Sequence, residues 1–90
     1  MTVAINFVHR EFTKEQSSAI RSATVEGTDV IIVYHSNPEK AYAFTTNESY
    51  AQFLCDLLSN DAMLSQVSPG GTIADGRKTG ELQQVTVWNY

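Results

Sequence analysis

The sequence predicts an α+β fold, in which an antiparallel β-meander of about four to five strands is covered on one face by one main amphipathic helix. Two observations support this prediction. Short runs of β-branched and aromatic residues, separated by turn residues, fill the first half of the chain and return at its end. Between them, apolar residues recur with the period of a helix. The length of 90 residues fits a single domain covering residues 1–90.

Five segments have the composition of strands, and they are residues 3–8, 19–25, 30–34, 41–45 and 83–90. The third of them is rich in β-branched residues and apolar on both faces, which is typical of a central strand covered on one side by another element. Turn residues separate it from its neighbours, with Gly27 on one side and Pro38 on the other. Residues 9–18 are mostly polar, and we expect them to form a connection.

The period then changes to that of a helix. The apolar positions follow the spacing i, i+3, i+4, i+7 and i+8, and they are Tyr50, Phe53, Leu54, Leu57 and Leu58. This spacing predicts one apolar stripe that covers the sheet. Thr45, Thr46 and Asn47 are candidate N-caps, and Asn60 is a candidate C-cap. Residues 62–67 are expected to form a further short helical turn.

Residues 68–82 contain four glycines and a proline, and we expect an irregular, glycine-rich, basic loop there. A loop of this length is uncommon in a compact domain and usually indicates a function or disorder. Its sequence is similar to the phosphate-binding loop G-x-x-x-x-G-K-[ST], but Arg77 separates Gly76 from Lys78. That motif also needs a strand before it and a helix after it, whereas here the order is reversed. Nucleotide hydrolysis is therefore excluded.

A looser hypothesis remains, because free backbone N–H groups and two positive charges suit a phosphate or an acidic group. The alternative is a solvated loop whose glycines serve only the turn. In the last strand, two large aromatic residues lie on the Gln/Thr side and need a cover, and exposed aromatics can stack on bases. The candidate binding residues are therefore Gly70, Gly71, Arg77, Lys78, Trp88 and Tyr90.

The net charge of −4 and the pI of about 4.9 remove the usual electrostatic attraction to nucleic acid, so such binding would depend on a local basic patch.

His9, His35 and Cys55 lack the short spacings of a zinc site, and Cys55 is expected to be buried. No nucleophile elbow occurs. We therefore expect no enzyme activity, no metal and no cofactor. Without a signal peptide or a long apolar run, we expect a cytoplasmic protein with no membrane partner.

Several short motifs follow one another in a characteristic order, and they are Ser17-Ser18-Ala19-Ile20, residues 30–35, Ala41-Tyr42-Ala43-Phe44, residues 48–54 and Ser68-Pro69-Gly70. In this order they resemble the KTSC domain, a small module found alone in tailed phages and at the end of some lysyl-tRNA synthetases. The resemblance covers about two thirds of the chain. It implies a phage or bacterial origin and a role associated with nucleic acid.

These observations together predict a non-enzymatic binding or interaction module, with its site in residues 68–82 beside the aromatic strand face. The small core and the surplus aromatics predict self-association into a homodimer or a larger assembly. Two alternatives stay open. One is a small homo-oligomeric protein that binds a phosphate-bearing small ligand, and the other is a purely structural phage accessory protein.

Overall fold

The predicted α+β fold is confirmed by a computed structural model of the protein, which describes residues 7–89. The strands are β1 (Phe7–Glu11), β2 (Ile20–Glu26), β3 (Asp29–Tyr34), β4 (Lys40–Thr45) and β5 (Gln83–Asn89). The helices are α1 (Glu48–Leu58), α2 (Asp61–Leu64) and α3 (Pro69–Thr79). The sheet is an antiparallel meander in the order β1-β2-β3-β4-β5. None of the described helices is long and apolar enough to span a lipid bilayer.

The strands follow the sequence prediction except at β1, which continues into the segment that we expected to be a connection. Val8 lies opposite Val25 and Arg10 opposite Ala23, so pairing with β2 extends the strand in spite of its polar residues. Residues 3–6 of the predicted first strand lie outside the described residues. The β2–β3 turn uses Gly27 at φ 62°, a left-handed conformation that favours glycine.

Helix α1 covers the sheet as its apolar stripe predicts. Its N-cap is Asn47, whose side chain accepts a hydrogen bond from the Tyr50 backbone N–H at 2.8 Å. Asn60 was predicted to end this helix, but the C-cap is Ser59, and Asn60 instead caps the short helix α2. The core joins sheet and helices, and its fully buried members include Val25, Val30, Ile32, Phe44 and Leu54.

The loop predicted for residues 68–82 is wrong, because most of this segment forms the helix α3. Ser68 is its N-cap and accepts a hydrogen bond from the Gly71 N–H at 3.1 Å, while Pro69 occupies the first turn. Gly80, at φ 87°, ends the helix. The buried residues of α3 are Pro69, Ile73 and Gly76, at the helical spacing i, i+4 and i+7.

Gly76 is buried because α3 packs closely on its neighbours. A Cβ atom at this position would lie 2.5 Å from the Tyr50 hydroxyl oxygen and 2.9 Å from Leu82 Cδ1. The Tyr50 hydroxyl in turn donates a hydrogen bond to the Thr72 carbonyl oxygen at 3.2 Å. The glycine therefore allows α3 to lie against α1 and the start of β5.

Candidate functional site

The two faces of the sheet differ in what covers them. Core residues such as Val25, Val30 and Phe44 point towards the helices. Side chains alternate along a strand, so the intervening residues point the other way. We call this second surface the open face, and its middle row is Thr24, Ile31, Ala43 and Thr86, which lie side by side across β2–β5. Within residues 7–89, no helix packs on it.

Large apolar side chains are exposed on the open face. Phe7 is 64% exposed, Trp88 50% and Val85 66%. Val85 occupies an irregularity in the β4–β5 register, where β5 has one residue more than β4. Together with Ile31 and Ala43, Val85 and Trp88 line a groove of about 340 Å³. The groove is apolar and open to solvent.

Charged residues stand at the two ends of the open face. Glu26 and Asp29 flank the β2–β3 turn and line one end of the apolar groove. Arg21 lies at the opposite end of β2, where it lines a second depression. The His9 ring lies between two partners in this region, with Nδ1 2.7 Å from Thr24 Oγ1 and Nε2 3.2 Å from Glu11 Oε2. The face is thus acidic at one end and carries mixed charge at the other.

The four predicted binding residues of the glycine-rich segment lie at opposite ends of α3. Gly70 and Gly71 are in its first turn, and Arg77 and Lys78 are in its last turn. Seven residues of helix separate the two pairs by about 10 Å, so the structure does not bring them together as one anion cradle. Gly70 has a packing role instead, since a Cβ atom there would lie 3.1 Å from the Ala19 Cβ atom.

Arg77 packs on the side of the sheet that the helices cover. Its guanidinium carbon lies 5.2 Å from the centroid of the Phe44 ring, and Nη1 donates a hydrogen bond to the Tyr34 hydroxyl at 3.2 Å. Arg77 and Lys78 also suit the negative end of the α3 dipole. These contacts give the arginine a role in holding α3 on the sheet.

The two predicted aromatic residues have different outcomes. Trp88 lies on the open face opposite Ala41, half-exposed as the strand alternation predicts. Tyr90 lies outside the described residues. The sequence analysis did not identify Phe7, Ile31 or Val85 as part of the same surface. The available signal was the double-sided apolar composition of β3, which needs a cover on both faces.

The conventional metal donors are dispersed. His9 is exposed, His35 is half-buried and Cys55 is buried. Among residues 7–89, no group of three His, Cys, Asp or Glu side chains could hold a metal ion. Burial raises the pKa of the Cys55 thiol, and the Asp56 carboxylate adds to this rise. The thiol therefore stays protonated and unreactive near neutral pH.

Comparison of the chain with protein-family models, with curated proteins and with solved structures finds no match.

Proposed function

We propose that this chain is a non-enzymatic interaction module that binds a partner protein with the open face of its sheet. One observation carries the proposal. The sheet presents an apolar surface on the side that no helix within residues 7–89 covers, and half of the Trp88 side chain is exposed there. Apolar surfaces of this kind, rimmed by polar residues, mark interaction sites. Tryptophan is also among the residues that contribute most to binding energy in protein interfaces.

The outward side chains of β3 and β4 support the proposal. In an antiparallel sheet with a solvated face, the outward positions are usually polar. Here they include Ile31 and Val33 on β3, and Ala41 and Ala43 on β4. Val33, Ala41 and Ala43 are already buried by their neighbours, so the apolar area that a partner can cover comes mainly from Phe7, Val85 and Trp88. Covering the exposed half of Trp88 alone would remove about 100 Å² of surface from water, which contributes roughly 2.5 kcal/mol. Covering the open face with a partner therefore lowers the free energy of the system.

Nucleic acid is a weaker candidate for the partner. The exposed Trp88 shares its groove with the carboxylates of Glu26 and Asp29, which repel phosphate. The basic pair Arg77 and Lys78 lies on α3, on the other side of the sheet. The sequence prediction of nucleic-acid binding, and that of a phosphate-bearing small ligand, both require this pair. They predict oligonucleotide or phosphate binding that weakens with salt and is lost when both residues become alanine.

The proposal keeps the cytoplasmic location and the phage or bacterial origin that the sequence predicts. The single cysteine is a buried free thiol, which fits a reducing compartment. A structural phage accessory protein would use the same surface, since assembly is itself an interaction function.

Site-specific photo-cross-linking tests the proposal. A benzophenone amino acid replaces Trp88 in the protein expressed in cells of its natural source. The matched control carries the same group at Phe53, which is 41% exposed on α1. We expect a cross-linked product from position 88 and none from position 53. If irradiation leaves the chain uncross-linked at both positions, the open face is not an interaction surface. The mass of the product identifies the partner as a second copy or another protein.

A further inference from the structure

We infer that the occupant of the open face is a second copy of this chain, packed face to face with its strands running antiparallel to those of the first. The inference rests on the proposed function and adds the identity and orientation of the partner. Three features of the open face support it: its area, the position of its charges and the shape of its apolar groove.

The area of the face reaches the size that a weak, specific dimer needs. Five strands about 4.8 Å apart, with about six residues each, form a surface of roughly 500 Å². Two copies would bury about 1,000 Å² in total, which is near the lower limit for a specific interface. An interface of this size is typical of weak association, so we expect a dimer that dissociates reversibly on dilution.

The charges select one of two symmetric arrangements. If the two-fold axis runs along the strands, the central strand β3 lies over its own copy in the same direction, and Asp29 faces the partner's Asp29. If the axis crosses the strands, each strand lies over its own copy in the opposite direction. Glu26, at the end of β2, then lies over the partner's Arg21, at the start of β2. The depression around Arg21 also contains Glu11 and Glu39, which offset part of this attraction. The second arrangement still separates the two Asp29 side chains and sets Glu26 against a cation, and symmetry produces that contact twice.

The same arrangement matches the apolar groove. In β5, Val85 lies near the start and Trp88 near the end. With antiparallel stacking, Trp88 lies over the partner's Val85, in the part of the groove away from the partner's own Trp88. The surface is then self-complementary, because each copy supplies both an aromatic side chain and the groove that receives it.

Charge reversal tests the orientation by sedimentation equilibrium. R21E places a glutamate over the partner's Glu26, and E26R places an arginine over the partner's Arg21. We expect each single variant to raise the dimer dissociation constant about tenfold, since two symmetric contacts change from attraction to repulsion. The double variant R21E/E26R restores the attraction and should return to within about threefold of wild type. Circular dichroism checks that each variant is folded. A double variant as weak as the single ones overturns the antiparallel arrangement.

The fluorescence of Trp88 tests the surface, because it is the only tryptophan in the chain. We expect its emission to shift to longer wavelength on dilution, across the same concentration range in which the dimer dissociates. The control is R21E, which keeps Trp88 and should show the same emission shift at about tenfold higher concentration, together with its raised dissociation constant. A chain that stays monomeric at several hundred micromolar overturns the second copy as occupant. A dimer that leaves Trp88 emission unchanged overturns the open face as its interface. Both results are compatible with a cross-link from position 88 to a different protein. They would therefore overturn the second copy as partner without overturning the proposed function.

Discussion

Tyr50 connects α1 to α3 through a hydroxyl in a partly desolvated position. The hydroxyl donates to the Thr72 carbonyl oxygen at 3.2 Å, and the ring lies 5.6 Å from the ring of Phe53. Burial raises the pKa of Tyr50 above its ordinary value of 10.0, and the carboxylates of Glu81 and Asp75 raise it further. The folded protein therefore holds the phenol proton more tightly than the unfolded chain does.

This pKa shift predicts a loss of stability at alkaline pH. Because the folded-state pKa is raised, the contribution of Tyr50 is complete below pH 10 and is lost as the pH rises through the folded-state value. Y50F removes the titrating group together with one hydrogen bond, which costs about 1 kcal/mol at neutral pH. We expect the urea midpoints of wild type and Y50F to differ at pH 8 and to approach each other as the pH rises above 10. A constant difference between the two midpoints over this range would contradict the linkage.

At the scale of elements, α3 shows what the sequence did not predict. Four glycines and few apolar residues in residues 68–82 indicate a loop, since glycine costs about 1 kcal/mol in a helix interior. The signals that favour a helix lie at the two ends of the segment. Ser68 precedes Pro69 at its start, and at its end Gly80 follows a last turn that contains Arg77 and Lys78. Gly76 lies on the buried face of α3 together with Ile73, so one of the closely packed positions of this helix is occupied by a glycine. Hydrophobic periodicity cannot detect such a position.

The contact at Gly76 predicts a large effect from one methyl group. In G76A the new Cβ would displace the Tyr50 hydroxyl and press on the buried Leu82 side chain. We expect a net destabilisation of about 1–2 kcal/mol after the gain in helix propensity is included. The control is G71A on the same helix, where a Cβ atom meets Ser68 at an ordinary 3.6 Å. Its stability should stay equal or rise by up to about 1 kcal/mol. Equal urea midpoints for the two variants would show that α3 does not pack closely at Gly76.

The strands were predicted correctly where apolar and polar side chains alternate regularly along the sequence. β2, β3, β4 and β5 agree with the predicted segments to within about one residue, because turn residues such as Gly27 and Pro38 mark their limits. The open face was predicted only in part, through Trp88. Which side of β3 the helices cover depends on tertiary packing, and the extra residue at Val85 depends on pairing with β4. Neither feature is encoded in local pattern alone.

In the part of the molecule that the structure describes, helices cover one side of a single sheet, so a second copy could pack on the other side or pair with an edge strand. Besides the open face, the sheet has two edges, β1 and β5. The β1 edge carries His9, Arg10 and Glu11, and such charges discourage pairing with another strand. β5 has no charged residue and is protected mainly by its irregularity at Val85. An edge-paired dimer through β5 is thus the structural competitor of the face-to-face dimer.

Amide hydrogen exchange distinguishes these two assemblies. β3 is paired on both sides and its residues Val30 and Ile32 are fully buried, so its amides should exchange slowest of all. At an edge strand, every second amide points away from the sheet and exchanges quickly. Face-to-face packing leaves these outward amides of β5 in solvent, so they should stay fast at protein concentrations well above the dissociation constant. β1 provides the internal reference for an uncovered edge. If β5 gains protection with concentration while β1 does not, the second copy extends the sheet at its edge and the open face remains free.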